Sequence, residues 1–527
     1  MHQADKFDWD METLHGVGAP ISAMTYSIDT KRRHLSLDHL PVEIIAAICH
    51  NLCMHCRLAN VVDLSPSVVT QALEDQQALS RLSRTSRLFR DNAQPILFHY
   101  YHTGIQPDPS SPERWGDAVA RNREIEALES FLRTLLERPD LAKHVRGLAF
   151  FALRTVRAQN VPPATQALFR QAGERAGFRP LPTYDHVESK WLQEATIMTT
   201  PFLEQLLIYR SSQEGLQYLR DSPFYLPHLK YLVLPGQDRN PDECCHIQEM
   251  QDVLAKAQNL EVLQASDCDS GTDIPHRERF RSEPWNTALM SLRNLSLHGL
   301  DPDNLGKILR RSPILEDLEY FCDMDKYTVL QHDHLTPIRD TLKRFCYTST
   351  TWEHAQGSSD EVIETISGFL RWDPFLRGDM SFSDFPKLEI LEVEQLLLYG
   401  PVFDQGEREV NFAIFHEVGP ELFMSCIPPS LRVLHIGMVL AWPEMHRDLM
   451  GLSKKLYRFP ELTTVAVDPH EPPPAAQVKE LTDTFAEKGV LFCLGQTTQV
   501  PFSRGMLGVR PGHEPSGVTD LRFQLYE

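Results

Sequence analysis

Apolar residues recur along most of the chain in one six-residue pattern, Leu-x-x-Leu-x-apolar. Because successive side chains of a strand point to opposite faces, this spacing predicts a short strand that is buried on one face. Nine clear copies occur, and a tenth begins at Val145. The nine clear copies begin at Leu203, Leu229, Leu260, Leu292, Leu315, Leu342, Leu388, Leu431 and Leu462.

Successive copies are 23 to 46 residues apart, and most separations lie near the length of a leucine-rich repeat, in which a strand is followed by a helical return. Such helices are predicted at Ile247–Leu254 and Leu305–Leu309. A single unit cannot bury its apolar face alone, so the units are expected to stack. Chance recurrence of a short leucine pattern is the alternative. We predict an α/β fold, an irregular leucine-rich-repeat solenoid of nine to ten units, with insertions at Ser349–Ser381 and Leu397–Ile427.

Helices are predicted ahead of this array. Pro41 suits the first turn of a helix, where its missing N–H would be unpaired, and Glu43 complements the positive end of the helix dipole. A second helix is predicted over Gln77–Asn92 and a third over Arg121–Arg138, since both stretches carry apolar residues at helical spacing. The apolar positions of the first two helices are Ile44, Ile45, Ile48, Leu52, Leu79, Leu82 and Phe89.

The stretch Leu40-Pro41-x-Glu43-Ile44, followed by Ile48 and Leu52, resembles the opening of an F-box. The later run Leu79-x-x-Leu82-Ser83-x-Thr85-Ser86-Arg87-x-Phe89-Arg90 resembles its second part. F-box helices pack onto the adapter subunit of cullin-RING ubiquitin ligases, and an F-box followed by leucine-rich repeats is similar to many fungal F-box proteins. The adapter-binding and core positions that the resemblance implies are Leu40, Pro41, Glu43, Ile44, Ile45, Ile48, Leu52, Leu82 and Phe89.

This resemblance implies a substrate receptor that is not itself an enzyme. The helical module would bind the adapter and through it the cullin, and the strand face would bind an unknown protein substrate. The chain departs from the compact motif between Leu52 and Leu79, so Met54–Gln76 is predicted to loop out. The alternative is a repeat scaffold that the helices merely cap, without a ligase partner. Predicted exposed strand residues are Glu204, Gln205, Lys230, Tyr231, Arg293, Asn294, Glu316, Lys343, Arg344 and Arg432.

Three cysteines in the first helical region, Cys49-x-x-x-Cys53-x-x-Cys56, raise the question of a metal. This spacing occurs in radical enzymes that bind an iron–sulfur cluster, but no alternating strand–helix barrel follows it here. Zinc is a second possibility, because His50 and His55 lie among these cysteines and His99 and His102 come later in the chain. No second Cys-x-x-Cys pair accompanies Cys53 and Cys56, so we predict structural thiols and no metal or cofactor. Nucleotide-binding, nucleophile-turn and zinc-protease motifs are also missing.

Composition bears on the kind of partner and on the cellular compartment. Lys and Arg total 52 against 72 Asp and Glu, so the net charge of −20 disfavours nucleic acid. No apolar run is long enough to span a membrane, no secretory signal opens the chain, and ten cysteines in 527 residues fit a reducing compartment. We therefore expect a protein of the cytoplasm or nucleus. The predicted segments are a tail at 1–35, the helical module at 36–105, a linker helix and repeats at 106–495, and a tail at 496–527.

Overall fold

The structure is a computed structural model that describes most of the chain between residues 40 and 495. The predicted tails at 1–35 and 496–527, and most of both predicted insertions, lie outside the described residues. The described residues are 40–57, 66–103, 118–150, 157–159, 163–176, 186–208, 216, 218–219, 222–234, 251–265, 286–322, 330–349, 381–399 and 420–495.

Twelve parallel strands form one sheet, and each strand pairs with its neighbours in chain order. All ten leucine motifs lie on these strands, which confirms a mixed α/β fold. The sheet begins and ends with two strands that the pattern did not predict. In spatial order the strands are β1 (Tyr100–Thr103), β2 (Gly147–Phe150), β5 (Gln205–Ile208), β6 (Tyr231–Leu234), β7 (Val262–Ala265), β8 (Asn294–His298), β9 (Asp317–Cys322), β10 (Arg344–Ser349), β11 (Ile390–Glu394), β12 (Val433–Val439), β13 (Thr464–Pro469) and β14 (Leu491–Leu494). A separate antiparallel pair consists of β3 (Arg157–Gln159) and β4 (His186–Glu188).

The motif leucines stack from strand to strand and form the main core. Leu318 of β9 is aligned with Leu295 of β8 on one side and with Phe345 of β10 on the other. All three side chains are buried. Tyr320, at the last motif position of β9, is also buried, and its hydroxyl donates a hydrogen bond to the carbonyl of Leu300 at 2.6 Å. Burial of these stacked rows supplies most of the apolar contact between neighbouring units.

Helices occupy many of the connections between strands. The predicted helix at Arg121–Arg138 is confirmed as α5 (Ala118–Glu137), and the predicted return at Leu305–Leu309 lies within α11 (Pro302–Leu309). Its N-terminus is capped by Asp301, whose carboxylate accepts the N–H of Asn304 at 2.9 Å. No helix among the described residues is long and apolar enough to cross a membrane. These helices are α5 (Ala118–Glu137), α6 (Pro139–Ala142), α7 (Pro163–Ala176), α8 (Ser189–Thr199), α9 (Gln251–Lys256), α10 (Asn286–Leu289), α11 (Pro302–Leu309), α12 (His332–Leu335), α13 (Gln395–Tyr399), α14 (Pro420–Ser425), α15 (Trp442–Lys454) and α16 (Ala475–Ala486).

Among the described residues, four helices precede the sheet: α1 (Val42–Asn51), α2 (Met54–Arg57), α3 (Pro66–Leu82) and α4 (Arg87–Leu97). The prediction of one helix over Gln77–Asn92 was wrong, because the chain turns between α3 and α4. The hydroxyl of Thr85 donates back to the carbonyl of Leu82 at 2.8 Å, which helps to end α3. The hydroxyl of Ser86 then accepts the N–H of Phe89 at 3.3 Å and caps α4.

The predicted loop at Met54–Gln76 was also wrong over the described part of that segment. It contains α2 and the first half of α3, and residues 58–65 lie outside the described residues. An ion pair joins the two helices, because the exposed Arg57 donates to the buried carboxylate of Asp75 at 2.5 Å. Apolar spacing alone did not predict this helix, since a charged residue, Asp75, occupies one of its buried positions.

The N-terminal helices are joined directly to the sheet. Only Phe98 and His99 separate the end of α4 from the start of β1. The carbonyl of His99 accepts hydrogen bonds from the N–H groups of Arg146 and Gly147, both at 2.8 Å. The strand β1, which the sequence assigned to the helical module, is therefore the first strand of the sheet.

Candidate docking face and cysteine–histidine cluster

Helix α1 has two apolar faces, and only one of them is covered. Ile45 and Cys49 are fully buried, in a small core that α1 shares with α3 and α4. Ile44 and Ile48 are four residues apart, so they lie one turn apart on another face, and they are 47% and 40% exposed. Val42 in the first turn is 46% exposed. These side chains leave an exposed apolar strip along one face of α1.

The other predicted adapter-binding residues divide between surface and core. Pro41 and Glu43 are exposed at the start of α1. Phe89 is buried together with Ile45, so both stabilise the helical module from within and cannot be reached by a partner. The remaining three are half-buried and pack against that core: Leu40, Leu52 and Leu82.

The edge where the strands begin carries a row of alternating charges, which we call the charge ladder. It occupies the second position of nine of the ten leucine motifs, whereas the last motif has Thr463 there. The backbone N–H of each member after the first bonds to the carbonyl of the member before it. Side chains also pair directly, as where Glu316 contacts Arg293 at 2.6 Å and Lys343 at 2.8 Å. The ladder consists of Arg146, Glu204, Lys230, Glu261, Arg293, Glu316, Lys343, Glu389 and Arg432.

Six ladder members were predicted to face a substrate, and in the structure they stand beside oppositely charged neighbours at the rim of the sheet. Two other predicted surface residues are buried, which corrects the expectation that they are exposed. Gln205 is 4% exposed and Arg344 is 7% exposed. Both occupy the first position of a strand, where side chains of the two adjacent strands crowd them from either side.

A buried ionic network crosses the strand face opposite the leucine core. Arg344 contacts Asp317 at 3.0 Å and Glu392 at 3.1 Å, and His435 contacts Asp468 at 2.9 Å. Burial alone would lower the pKa of His435, but hydrogen bonds to Asp468 and Glu392 raise that pKa to about 9. Burial raises the pKa of Asp317 despite the opposing attraction of Arg344. The charged form of each buried side chain in this network is therefore stabilised by its oppositely charged neighbours.

Four side chains of types that can bind a metal ion meet where the N-terminal helices join the sheet. They are Cys53, His55, Cys56 and His99, and one ligand atom from each lies within 4.8 Å of the others. The sulfur of Cys56 lies 3.3 Å from Nδ1 of His99 and 3.8 Å from Nδ1 of His55. Nδ1 of His50, which is outside the group of four, lies 3.1 Å from the same sulfur.

Backbone contacts fix the position of this cysteine–histidine cluster. The N–H of Cys53 bonds to the carbonyl of His50 at 3.1 Å as α1 ends, and the carbonyl of Cys53 accepts the N–H of Arg57 at the end of α2. The N–H of His99 bonds to the carbonyl of Ile96, and its own carbonyl accepts two N–H groups of the neighbouring chain segment before β2. The four side chains are therefore carried by two ordered turns.

The carboxylate of Glu204 lies beside the His55 ring, on the side away from the cysteines. Oε2 of Glu204 lies 3.7 Å from Nε2 of His55, whose other nitrogen faces Cys56. Arg146 holds the same carboxylate at 3.2 Å. A carboxylate on the outer nitrogen of a histidine is the usual support of a metal-binding imidazole, because it sets the tautomer and the ring orientation.

The pKa values of the two cluster thiols are shifted in opposite directions. Hydrogen bonds from Cys56, and then from His55 and His99, lower the pKa of Cys53 to about 3 despite its burial. The neighbouring Cys53 sulfur and burial together raise the pKa of Cys56. Cys49 lies elsewhere, in the apolar core of the module, where burial raises its pKa. All three thiols are free of disulfides.

The sequence contained part of this arrangement. The pair Cys53 and Cys56 and the nearby histidines were recognised, but zinc was rejected because no second Cys-x-x-Cys pair exists. Neither Cys49 nor His102 belongs to the group of four. The sequence named His99 but did not show that it meets the cysteines: it is 43 residues from Cys56 and reaches it because α4 packs against α1 before β1 begins.

No protein-family model and no curated protein matches this chain. A solved structure from Bacteroides fragilis, a target of the Northeast Structural Genomics Consortium, aligns with 56% of this chain at 12% sequence identity and a TM-score of 0.25. The alignment spans 66% of that protein, just under two thirds of its length. So weak a likeness carries no argument, and the proposals below rest on residues and contacts of this chain.

Proposed function

We propose that the protein is the substrate receptor of a cullin-RING ubiquitin ligase. In this proposal α1 docks on the adapter subunit, which links the receptor to the cullin, and the sheet presents a surface to a protein substrate. The observation that carries the proposal is the uncovered apolar face of α1, formed by Ile44 and Ile48 and extended by Val42. The F-box-like motif around these residues supports the same reading.

Helix α1 can pack on its own module with one face and on a partner protein with another. Ile45 and Cys49 attach α1 to its own module, and this leaves the face of Ile44 and Ile48 for an apolar partner. Full burial of an isoleucine side chain contributes roughly 1.5–3 kcal/mol, so covering two that are already about half buried contributes roughly 2 kcal/mol. That corresponds to about a 30-fold change in affinity.

The repeated units are the proposed substrate-binding part. We propose that they form a leucine-rich-repeat solenoid, because ten leucine motifs pair in chain order through parallel strands. Arrays of this kind present extended surfaces, and their outward residues vary without loss of the core. The exposed arginines and lysines of the charge ladder form the accessible rim of that surface, whereas the buried ionic network occupies the strand face itself.

Direct binding of the protein to purified adapter tests this proposal. The double variant Ile44→Ala/Ile48→Ala should weaken adapter binding about 30-fold, measured by isothermal titration calorimetry with purified adapter. Leu422→Ala is the matched control, because Leu422 is 45% exposed on a helix at the far end of the sheet. Full binding by the double variant, with circular dichroism like that of wild type, would contradict the proposed docking face.

A second candidate is a repeat scaffold without a ligase partner. The direct continuation of α4 into β1 favours it, because a terminal cap is joined to the end of its array in this way. Failure of wild-type protein to bind any adapter, with the helices folded, is the outcome expected of a scaffold.

A further inference from the structure

We propose that Cys53, His55, Cys56 and His99 bind one zinc ion, which joins the N-terminal helices to the first strands of the sheet. The inference is independent of the ligase proposal. Two thiolates and two neutral imidazoles form a ligand set that zinc prefers, and four protein ligands leave no open position for a substrate. The site is therefore structural in character.

The distances fit a tetrahedral ion. Zn–S bonds of about 2.3 Å and Zn–N bonds of about 2.0 Å separate sulfur and nitrogen ligands by roughly 3.5 Å. The sulfur of Cys56 lies 3.3 Å from His99 and 3.8 Å from His55, on either side of that value. All four ligand atoms lie within 4.8 Å of one another, so small side-chain rotations bring them to one centre.

Hydrogen bonds between the side chains are a weak explanation for this convergence. Nitrogen atoms of three imidazoles, from His50, His55 and His99, approach the one sulfur of Cys56. A thiol has one weak donor and a weak acceptor, so it cannot satisfy three such groups well. A bound cation lets two of the imidazoles use their lone pairs, while His50 is left to donate N–H to the sulfur.

The support of His55 points to a ligand as well. Its Nε2 faces Glu204, which Arg146 holds in turn, so Nδ1 is left as the coordinating atom. The same Glu204 and Arg146 begin the charge ladder. A zinc ion at this site would therefore connect the turn between α1 and α2, the start of β1 and the edge of the sheet.

Metal analysis of the full chain tests the site. Protein expressed with zinc and purified without chelator should contain about one zinc per chain by inductively coupled plasma mass spectrometry. Cys56→Ser and His55→Gln should each lose most of that metal. His144→Gln and Cys493→Ser are matched controls that should keep it, because His144 packs 6.5 Å from the His99 ring without joining the group and Cys493 lies in the last strand.

Cobalt provides a readout that needs no variant. The zinc-depleted wild-type protein should take up one Co²⁺ with the intense visible bands of tetrahedral coordination and a thiolate charge-transfer band. On chelation, hydrogen exchange should rise several-fold in residues 42–57 and 98–103 and stay unchanged in β8 and β9.

Several outcomes would overturn the proposal. These are purified wild type that is free of zinc and takes up no cobalt, a cobalt spectrum typical of six coordination, iron in place of zinc, or full zinc retention by Cys56→Ser. A disulfide between Cys53 and Cys56 in freshly prepared protein, detected by alkylation and mass spectrometry, would likewise replace the metal site with a redox pair.

Discussion

Removing the positive charge of Arg344 should destabilise the sheet strongly. The Arg344 side chain is 9% exposed, and its two carboxylate partners, Asp317 and Glu392, are 23% and 11% exposed. The substitution Arg344→Met keeps much of the side-chain volume but leaves Asp317 without a cation and Glu392 with His435 as its remaining cationic partner. Breaking a buried pair in this way costs about 3–5 kcal/mol, because the remaining charge cannot return to water.

The matched substitution is Arg432→Met in the charge ladder. Arg432 contacts Glu389 at 3.3 Å, but the two side chains are 59% and 44% exposed. Water screens such a pair, so the expected loss is about 0–1 kcal/mol. The two substitutions remove the same charge and differ mainly in burial, so their difference isolates the effect of desolvation.

Urea unfolding followed by circular dichroism measures both variants, and a shift in midpoint at unchanged slope reports stability. Repeat arrays can unfold in segments, so hydrogen exchange of β9 to β12 should accompany it. The deficit of Arg344→Met should shrink as the pH falls toward 4, since protonation then neutralises the two carboxylates. Equal losses in the two variants, or a deficit in Arg344→Met that does not change with pH, would refute this reasoning.

Two further predictions concern the network and the core. Wild-type protein should lose on the order of 2–3 kcal/mol of stability as the pH rises from about 6.5 through 9, because the pKa of His435 is raised to about 9 in the folded state and the charged form is then lost. His435→Gln should flatten that pH profile, and an unchanged profile would show that another group titrates. Leu318→Ala should cost about 2–5 kcal/mol by urea unfolding, since Leu318 is fully buried between neighbouring strands; a loss below 1 kcal/mol would mean the core collapses around the gap.

The leucine motifs predicted ten of the twelve strands of the sheet, but they did not predict the two end strands, β1 and β14. The first motif position lies two residues before each strand. Phe98 occupies it ahead of β1 and Gly489 occupies it ahead of β14, where the other units have a leucine or valine. An end strand has a neighbour on one side only, so the full leucine stack is not required there. Gly489 instead has a φ of +75°, a left-handed turn that favours glycine, ahead of the last strand.

The cysteine–histidine cluster was only half predictable, for a physical reason. Cys53, His55 and Cys56 are close in sequence, so any turn brings them together. His99 joins them only because Ser86 starts α4 in a new direction and that helix returns to the turn between α1 and α2. The direction of a helix after a turn depends on packing, which apolar spacing does not specify. Likewise, the burial of Arg344 depends on its neighbours in other strands.

The charge ladder has a consequence for how the array can change in length. Its signs alternate without interruption from Arg146 to Arg432. Deleting or duplicating one unit brings two like charges side by side, whereas deleting or duplicating two neighbouring units preserves the alternation. Like charges on adjacent strands are destabilising. The array can therefore be lengthened, shortened or grafted without placing like charges side by side only when units are added or removed in neighbouring pairs.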